Sequence, residues 1–169
     1  MNTKPLPGSG TTYTDTYIVD GVRTGFGELN GTLKNVSATD MGIAVAKRLF
    51  ERPATNPESI DMVIGASLAP SDHDAYYLPR HIGLYSGVAE EVPAIFVHRL
   101  CGSGFELLVQ AADYIKLGKS EAALCVGSES MSRNPICSFT ARGGVKLGQV
   151  DFKDFLWETL QDSAPGIGM

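Results

Sequence analysis

The chain contains no CxxC pair, and its three cysteines, Cys101, Cys125 and Cys137, are an odd count at irregular spacing. That excludes a disulfide framework and a zinc knuckle, and it fits free thiols in a reducing compartment. A run of Lys and Arg is also missing. With 14 basic against 19 acidic side chains the formal charge is −5, which lacks the electrostatic footprint that phosphate binding demands, so nucleic acid is not an expected partner. No apolar run approaches the roughly 18 to 20 residues needed to cross a bilayer, so no membrane partner is expected either. The first 16 residues are polar, with Lys4 as their single positive charge, and form neither a signal-peptide core nor an Arg-rich transit pattern. These features together predict a cytoplasmic protein. What the chain does have is 169 residues, 43% of them hydrophobic, enough for one ordinary domain with a real core.

Residues 1–16, rich in Pro, Gly, Ser and Thr, are predicted to be a flexible tail. Residues 17–20 (YIVD) form a short apolar run with the shape of a buried strand, and a Gly-rich loop follows them. Ser37 then opens a helix with Asp40 in its first turn and Met41, Val45 and Leu49 on one face, stopped by Pro53. Further strands are predicted at 61–68, 94–98 and 122–126, with helices near Pro79 and over 104–116. This alternation implies an α/β fold: a mixed, mostly parallel sheet flanked by helices, occupying residues 17–128. After Gly127 the pattern stops. Residues 129–169 hold one aromatic stretch, 152–157, that reads as a helix or a hydrophobic latch, and a segment this long without regular elements suggests a functional loop region. The closing Gly-Ile-Gly-Met bears no terminus signal and reads as a point where a larger protein continues.

The residues with the most chemistry in them are Arg99-Leu100-Cys101-Gly102-Ser103-Gly104, between a predicted strand and an apolar helix. A helix N-terminus carries partial positive charge, which favours a thiolate over a thiol. Gly102 and Gly104 remove side chains beside the sulfur and let a substrate or an oxyanion approach backbone N–H groups. The same six residues also fit a tight turn around a small buried hydrophobe, and spacing alone leaves both readings open. Ser103 fits a helix cap, and no His/Asp partner argues for a serine nucleophile. Ser71-Asp72-His73-Asp74 reads as a solvated turn rather than a metal cluster, because consecutive loop residues cannot all point to one ion. Gly25-Phe26-Gly27 lacks the third glycine of a dinucleotide fingerprint.

Four segments in register, 22–42 (VRTGFGELNGTLKNVSATDMG), 76–88 (YYLPRHIGLYSGV), 92–106 (VPAIFVHRLCGSGFE) and 126–135 (VGSESMSRNP), resemble the N-terminal half of the thiolases, the acetyl-CoA acetyltransferase family. The resemblance implies a thiolase-like N-terminal α/β half-domain followed by part of a loop domain at 129–169. It implies that Cys101 attacks an acyl-CoA thioester to form an acyl-enzyme, for thiolysis of a 3-ketoacyl-CoA or for Claisen condensation, and that its backbone N–H contributes to an oxyanion hole. The expected substrates are coenzyme A thioesters of fatty acid metabolism, with no further cofactor and no metal. Glu129, in GSESMS after the fourth predicted strand, reads as a structural, supporting residue near the site that holds the catalytic loop by hydrogen bonds, and Met169 matches a pocket Met of the family, with Gly168 where many members have a His. Two more departures stand out. The common Asn ahead of the nucleophile is His98 here, and the family's Arg-Thr-Pro is Arg23-Thr24-Gly25.

The family's general-base His, in a Gly-His-Pro motif, and its acid/base Cys, in a Cys-x-Gly-Gly motif, belong to a C-terminal half that these residues do not include, and neither His73 nor His81 sits in such a motif. The implied partner is that half, in the same longer protein or as a second chain, with a homo- or hetero-oligomer expected because a thiolase half would expose a large apolar face. The isolated chain is expected to be inactive. A decarboxylating ketoacyl synthase shares the general architecture, but the RTGFG, SATDMG and GSESMS segments favour a thiolase. Two other functions remain possible readings of the sequence: a non-catalytic acyl-binding or scaffold subunit, and a thiol redox sensor, which would need a resolving cysteine.

Overall fold

Five consecutive residues, Met62–Ala66 (β1), are buried, and a strand buried along its whole length must be covered on both faces. The computed structural model, which describes residues 12–145 and 147–168, provides that cover. Strands Ala94–Phe96 (β2) and Ala123–Gly127 (β3) flank β1, both parallel to it, with Ile64 opposite Ile95 on one side and Cys125 on the other. On one face of this sheet Val63, Leu124 and Val126 pack against Ala38 and Ala46 of helix Ala38–Phe50 (α1) and Leu78 and Ile82 of helix Leu78–Ser86 (α2). On the other, Met62, Ile64 and Ala66 pack against Leu107 and Ala111 of helix Ser103–Lys116 (α3). The result is three layers, α/β/α. Among the described residues the central sheet is wholly parallel rather than mixed, and antiparallel pairing is confined to two small ribbons beyond it.

Local chemistry explains the helix boundaries. Ser37 caps α1, its hydroxyl accepting from Asp40 N–H at 2.9 Å, and Pro79 lies in the first turn of α2, where its missing N–H costs nothing. The face of α1 pressed into the core is not the one that large side chains announce. Ala38, Thr39, Gly42 and Ala46 are the buried residues, whereas Met41, Val45 and Leu49 are half-buried and line a cleft. Small residues win here because they let α2 approach closely; a side chain on Gly42 would run into Ile82.

Residues 17–20 do not form the predicted strand. Tyr17, Ile18 and Val19 are 79%, 77% and 71% exposed, and the sheet edge nearest in sequence logic, the outer edge of β3, has no strand beside it among the described residues. A short apolar run becomes a strand only when a neighbour takes its hydrogen bonds. Instead these residues line a cleft of about 1120 Å³ together with Leu124, Val126, Leu108 and Ala111. Of the predicted tail, residues 1–11 lie outside the described residues, and Tyr13 is tied to α3 by its hydroxyl, which donates to Asp113 Oδ1 at 2.8 Å.

The loop region is more structured than its composition suggests. Ile136–Cys137 (β4) pairs with Lys153–Asp154 (β5), helix Phe155–Thr159 (α4) follows, and Gln161–Asp162 (β6) pairs with Ile167–Gly168 (β7). The aromatic stretch 152–157 is thus divided: Lys153–Asp154 pairs in the ribbon, and the helix, capped by Asp154, starts at Phe155, whose ring lies 6.4 Å from that of Phe139. No helix among the described residues is long and apolar enough to cross a membrane.

Two tests follow from this packing. A Cβ on Gly65 would sit 2.6 Å from Pro79 Cβ and 3.0 Å from its Cα, and a proline ring cannot turn aside, so Gly65→Ala is expected to cost about 1–3 kcal/mol, read as a lower denaturation midpoint. Asp61, which leads into β1, accepts from Ser120 Oγ at 2.5 Å, Glu121 N–H at 2.6 Å and Ala122 N–H at 3.4 Å, tying the entry of β1 to that of β3. Partial burial pushes its carboxyl up, but the hydrogen bonds from Ser120, Glu121 and Ala122 together outweigh it and hold the group below the usual carboxylate range. A depressed carboxyl stabilises the fold above its unfolded value and loses that contribution as the pH falls through the folded one. Asp61→Asn should therefore be less stable than the parent at pH about 7, with the gap narrowing below pH about 4 in denaturant titrations.

Candidate active site

The last sheet hydrogen bond of β2 runs from Val97 N–H to Gly65 O at 2.9 Å, and beyond it the chain turns sharply into α3. The turn is built around a strained residue. Leu100 has φ +49°, the left-handed region, which for a residue with a side chain costs about 1–2 kcal/mol. Hydrogen bonds on both sides offset that strain. Ser103 Oγ accepts from Arg99 N–H at 2.7 Å and donates to Leu100 O at 2.6 Å, while Gly102 N–H reaches Arg99 O and Ser103 N–H reaches Leu100 O, both at 3.0 Å. Arg99 also pairs with Glu106 on the first turns of α3 at 2.7 Å, and this bond, followed by one from Gln110, holds the Glu106 carboxyl below its ordinary range.

Cys101 stands at the top of this turn, exposed, directly before Gly102, the N-cap residue of α3. It opens into the large cleft together with Leu100 and Gly104, and a side chain at Gly104 would meet nothing within 4 Å, so the approach to the sulfur from that side is clear. Gly102 is tighter, with Arg99 O 3.3 Å from where a Cβ would be. Ser103 is not the predicted cap. It is the first residue of α3, 5% exposed, and its hydroxyl clasps the turn from inside. Sequence reasoning missed this role because the bond partners are backbone atoms of a turn whose shape no spacing reveals.

The segment after β3 supports the site through a two-residue alternation. Ser128 Oγ donates to Ala38 O at 2.6 Å, Ser130 Oγ to Val36 O at 2.9 Å, and Ser132 Oγ accepts from Asn30 N–H at 2.8 Å, so the even-numbered serines dock on residues 30–38. Glu129 serves the loop after β1, accepting from Ser67 Oγ at 2.9 Å and Leu68 N–H at 2.5 Å, with Ala69 N–H at 3.4 Å. Ser128, Glu129 and Ser130 alternate between the two sides, and the chain then enters the short 3-10 turn Met131–Arg133, which carries Ser132. His98, exposed, bonds Leu68 O through Nε2 at 2.9 Å. Met169 lies outside the described residues, and Gly168 closes β7.

Other sequence candidates separate from this site. Asp72 is not in a merely solvated turn; Arg133 grips both its carboxylate oxygens and reaches Asn35 O at 3.4 Å, and His81 Nδ1 lies 3.4 Å from Asp74. No group of three or more His, Cys, Asp or Glu among the described residues could hold a metal ion. Arg23 lies over the Phe26 ring at 5.2 Å. Cys137 is half-buried in β4, and the Cys125 thiol points to Leu107 O at 3.6 Å and is pushed up to about 11 by burial. Cys125 is therefore an inert core thiol at neutral pH. With iodoacetamide near neutral pH, peptide mapping should find Cys101 modified first and Cys125 unmodified until the fold is denatured.

Comparison with known proteins identifies the family and the fold. The family model for the thiolase N-terminal domain matches residues 16–169. The mitochondrial 3-ketoacyl-CoA thiolase of Pongo abelii is 42% identical over 147 residues, 86% of this chain and 37% of that protein. The crystal structure of human mitochondrial 3-ketoacyl-CoA thiolase in complex with CoA superposes with a TM-score of 0.84 at 41% identity, covering 89% of this chain and 38% of that one. That of the Bacillus anthracis acetyl-CoA acetyltransferase gives 0.82 at 30% identity, covering the same shares. The chain thus spans little more than a third of the length of these relatives, and what it matches is one continuous portion of them. By the extent of that match and the fold that carries it, the chain belongs to the thiolase family, through that family's N-terminal domain.

Proposed function

We propose that this chain carries the nucleophile of an acyl-CoA acyltransferase of the thiolase type. The observation that carries the reading is the placement of Cys101: an exposed thiol directly before the N-terminus of α3, on a braced turn, facing an open and largely apolar cleft. The sulfur attacks the thioester carbonyl of an acyl-CoA, an oxyanion forms, and the coenzyme A thiolate leaves and takes up the proton, giving an acyl-Cys101 thioester. In thiolysis the sulfur instead attacks the 3-keto carbon of a 3-ketoacyl-CoA, the C2–C3 bond breaks, and the C2 carbanion leaves and takes up a proton as acetyl-CoA. A coenzyme A thiol then takes the shortened acyl group from Cys101 and returns its thiol. In a Claisen condensation the carbanion of a second acyl-CoA attacks the acyl-Cys101 thioester formed above, and the Cys101 thiolate leaves. The developing oxyanion is stabilised by backbone N–H groups at the turn, that of Cys101 among them, with Gly102 and Gly104 keeping the approach free.

The base that deprotonates the thiol and the group that handles the α-proton come from the remainder of a thiolase, either further along a longer polypeptide or on a second chain. The surface for that remainder is the apolar cleft beside β3, walled by Tyr17, Ile18 and Val19, which stays open among the described residues. An assembly of halves or of copies would cover it.

Intact-mass analysis of the natively purified protein, before and after incubation with acetyl-CoA and followed by peptide mapping, tests this reading. The expected result is one acetyl group on the Cys101 peptide, abolished by Cys101→Ala, and formed faster when the complementary thiolase portion is present. Absence of acetyl-Cys101 in the presence of that portion would refute it and leave a non-catalytic half-fold.

A further inference from the structure

Backbone just past β1 is shut away from water. Ser67 is 4% exposed and Ala69 0%, so the N–H and C=O groups of this turn need partners within the protein. Two side chains from the ends of the two flanking strands supply them. Glu129, beyond β3, accepts from Leu68 N–H and Ala69 N–H, and His98, beyond β2, takes Leu68 O through Nε2 at 2.9 Å. The peptide unit between Leu68 and Ala69 is therefore held at both poles, its N–H by a carboxylate and its C=O by an imidazole. A peptide plane is rigid, so a shift at one pole is felt at the other, and bonds linked in this way polarise one another. A carbonyl oxygen can only accept, so Nε2 carries the hydrogen, which fixes the tautomer of the neutral ring.

His98 also sits where the sheet lets go of the chain. After Val97 the turn is braced on the helix side by Ser103 and Glu106, and on the sheet side by His98. Between the two braces lies Leu100 in its strained conformation. We propose that His98 is a positioning residue for Cys101: its hydrogen bond to Leu68 O registers the nucleophile turn against the Glu129-held end of β1 and keeps the thiol at the N-terminal end of α3. This rests on the reading of Cys101 as the nucleophile. What the position requires is a donor of the right reach, not a ring that titrates, so Asn can replace His98 and Ala cannot.

The test compares the full chain with His98→Ala, His98→Asn and Glu129→Gln, following Cys101 modification by iodoacetamide and, separately, by acetyl-CoA, with Cys125 as an internal reporter of folding. His98→Ala should slow modification of Cys101 by roughly tenfold to a hundredfold with Cys125 still protected, and His98→Asn should restore the parent rate. Glu129→Gln, which leaves His98 in place but weakens the grip on the two N–H groups, should slow Cys101 in the same sense, and it decides the matter if His98→Ala fails to fold. Parent-like rates in His98→Ala, an Asn variant as slow as the Ala variant, or an unchanged Glu129→Gln overturn the proposal. A parent protein alkylated rapidly at Cys101 but never acetylated, even with the complementary thiolase portion present, would instead defeat the acyl-transfer reading, while the alkylation comparison still judges His98.

Discussion

Burial of β1 along its whole length is the constraint from which the rest of the molecule follows. A strand with no face toward water needs helices on both sides and strands on both edges, and parallel neighbours oblige the chain to cross over between them. Three parallel strands then end at the same side of the sheet, and the segments that leave them, 67–71, 97–102 and 127–133, are brought together there. Open α/β sheets gather chemistry outside the carboxyl ends of their strands for this reason. Cys101, Glu129 and Ser67 come from three different segments and share one cleft because β1 sets where all three strands stop.

At that edge the structure opposes strain with hydrogen bonds rather than with packing. The left-handed Leu100 is half-exposed and gains little from burial, so its conformation depends on the Ser103 hydroxyl, the Arg99–Glu106 pair and the His98 bond to Leu68 O. Exposed ion pairs contribute little on their own. Arg99 is largely exposed, so the buried Ser103 hydroxyl, bonded twice within 3 Å, is the stronger brace. Cys101 is thus presented by a turn that a sterically relaxed chain would not adopt, which is how sites commonly keep a side chain in a demanding position.

Much of this was legible in the residues. Apolar runs of strand length alternated with helical ones, and β1, β2, β3, α1, α2 and α3 lie within a few residues of the stretches that announced them. The exceptions have physical causes. Residues 17–20 have the composition of a strand, but composition cannot say whether a neighbour is present to accept the hydrogen bonds. On α1, counting large side chains selected Met41, Val45 and Leu49, whereas close approach of α2 selected Ala38, Gly42 and Ala46. The turn at Cys101 could be anticipated because glycines mark it and a helix follows. The bond from His98 to Leu68 could not, since its two ends are 30 residues apart and meet only through strand register.

The open cleft makes access and environment two sides of one question. Tyr17, Ile18, Val19, Leu124 and Val126, which line it, are apolar, and the outer edge of β3 leaves backbone groups without strand partners among the described residues. An uncovered edge invites pairing with another strand. Whatever covers it removes water from the same cleft that Cys101 lines. Hydrogen bonds and helix-end dipoles act more strongly where water is excluded. A contact along that edge would therefore also strengthen the pull of the α3 N-terminus on negative charge at Cys101, so that covering the cleft and reactivity at Cys101 would be coupled through one surface.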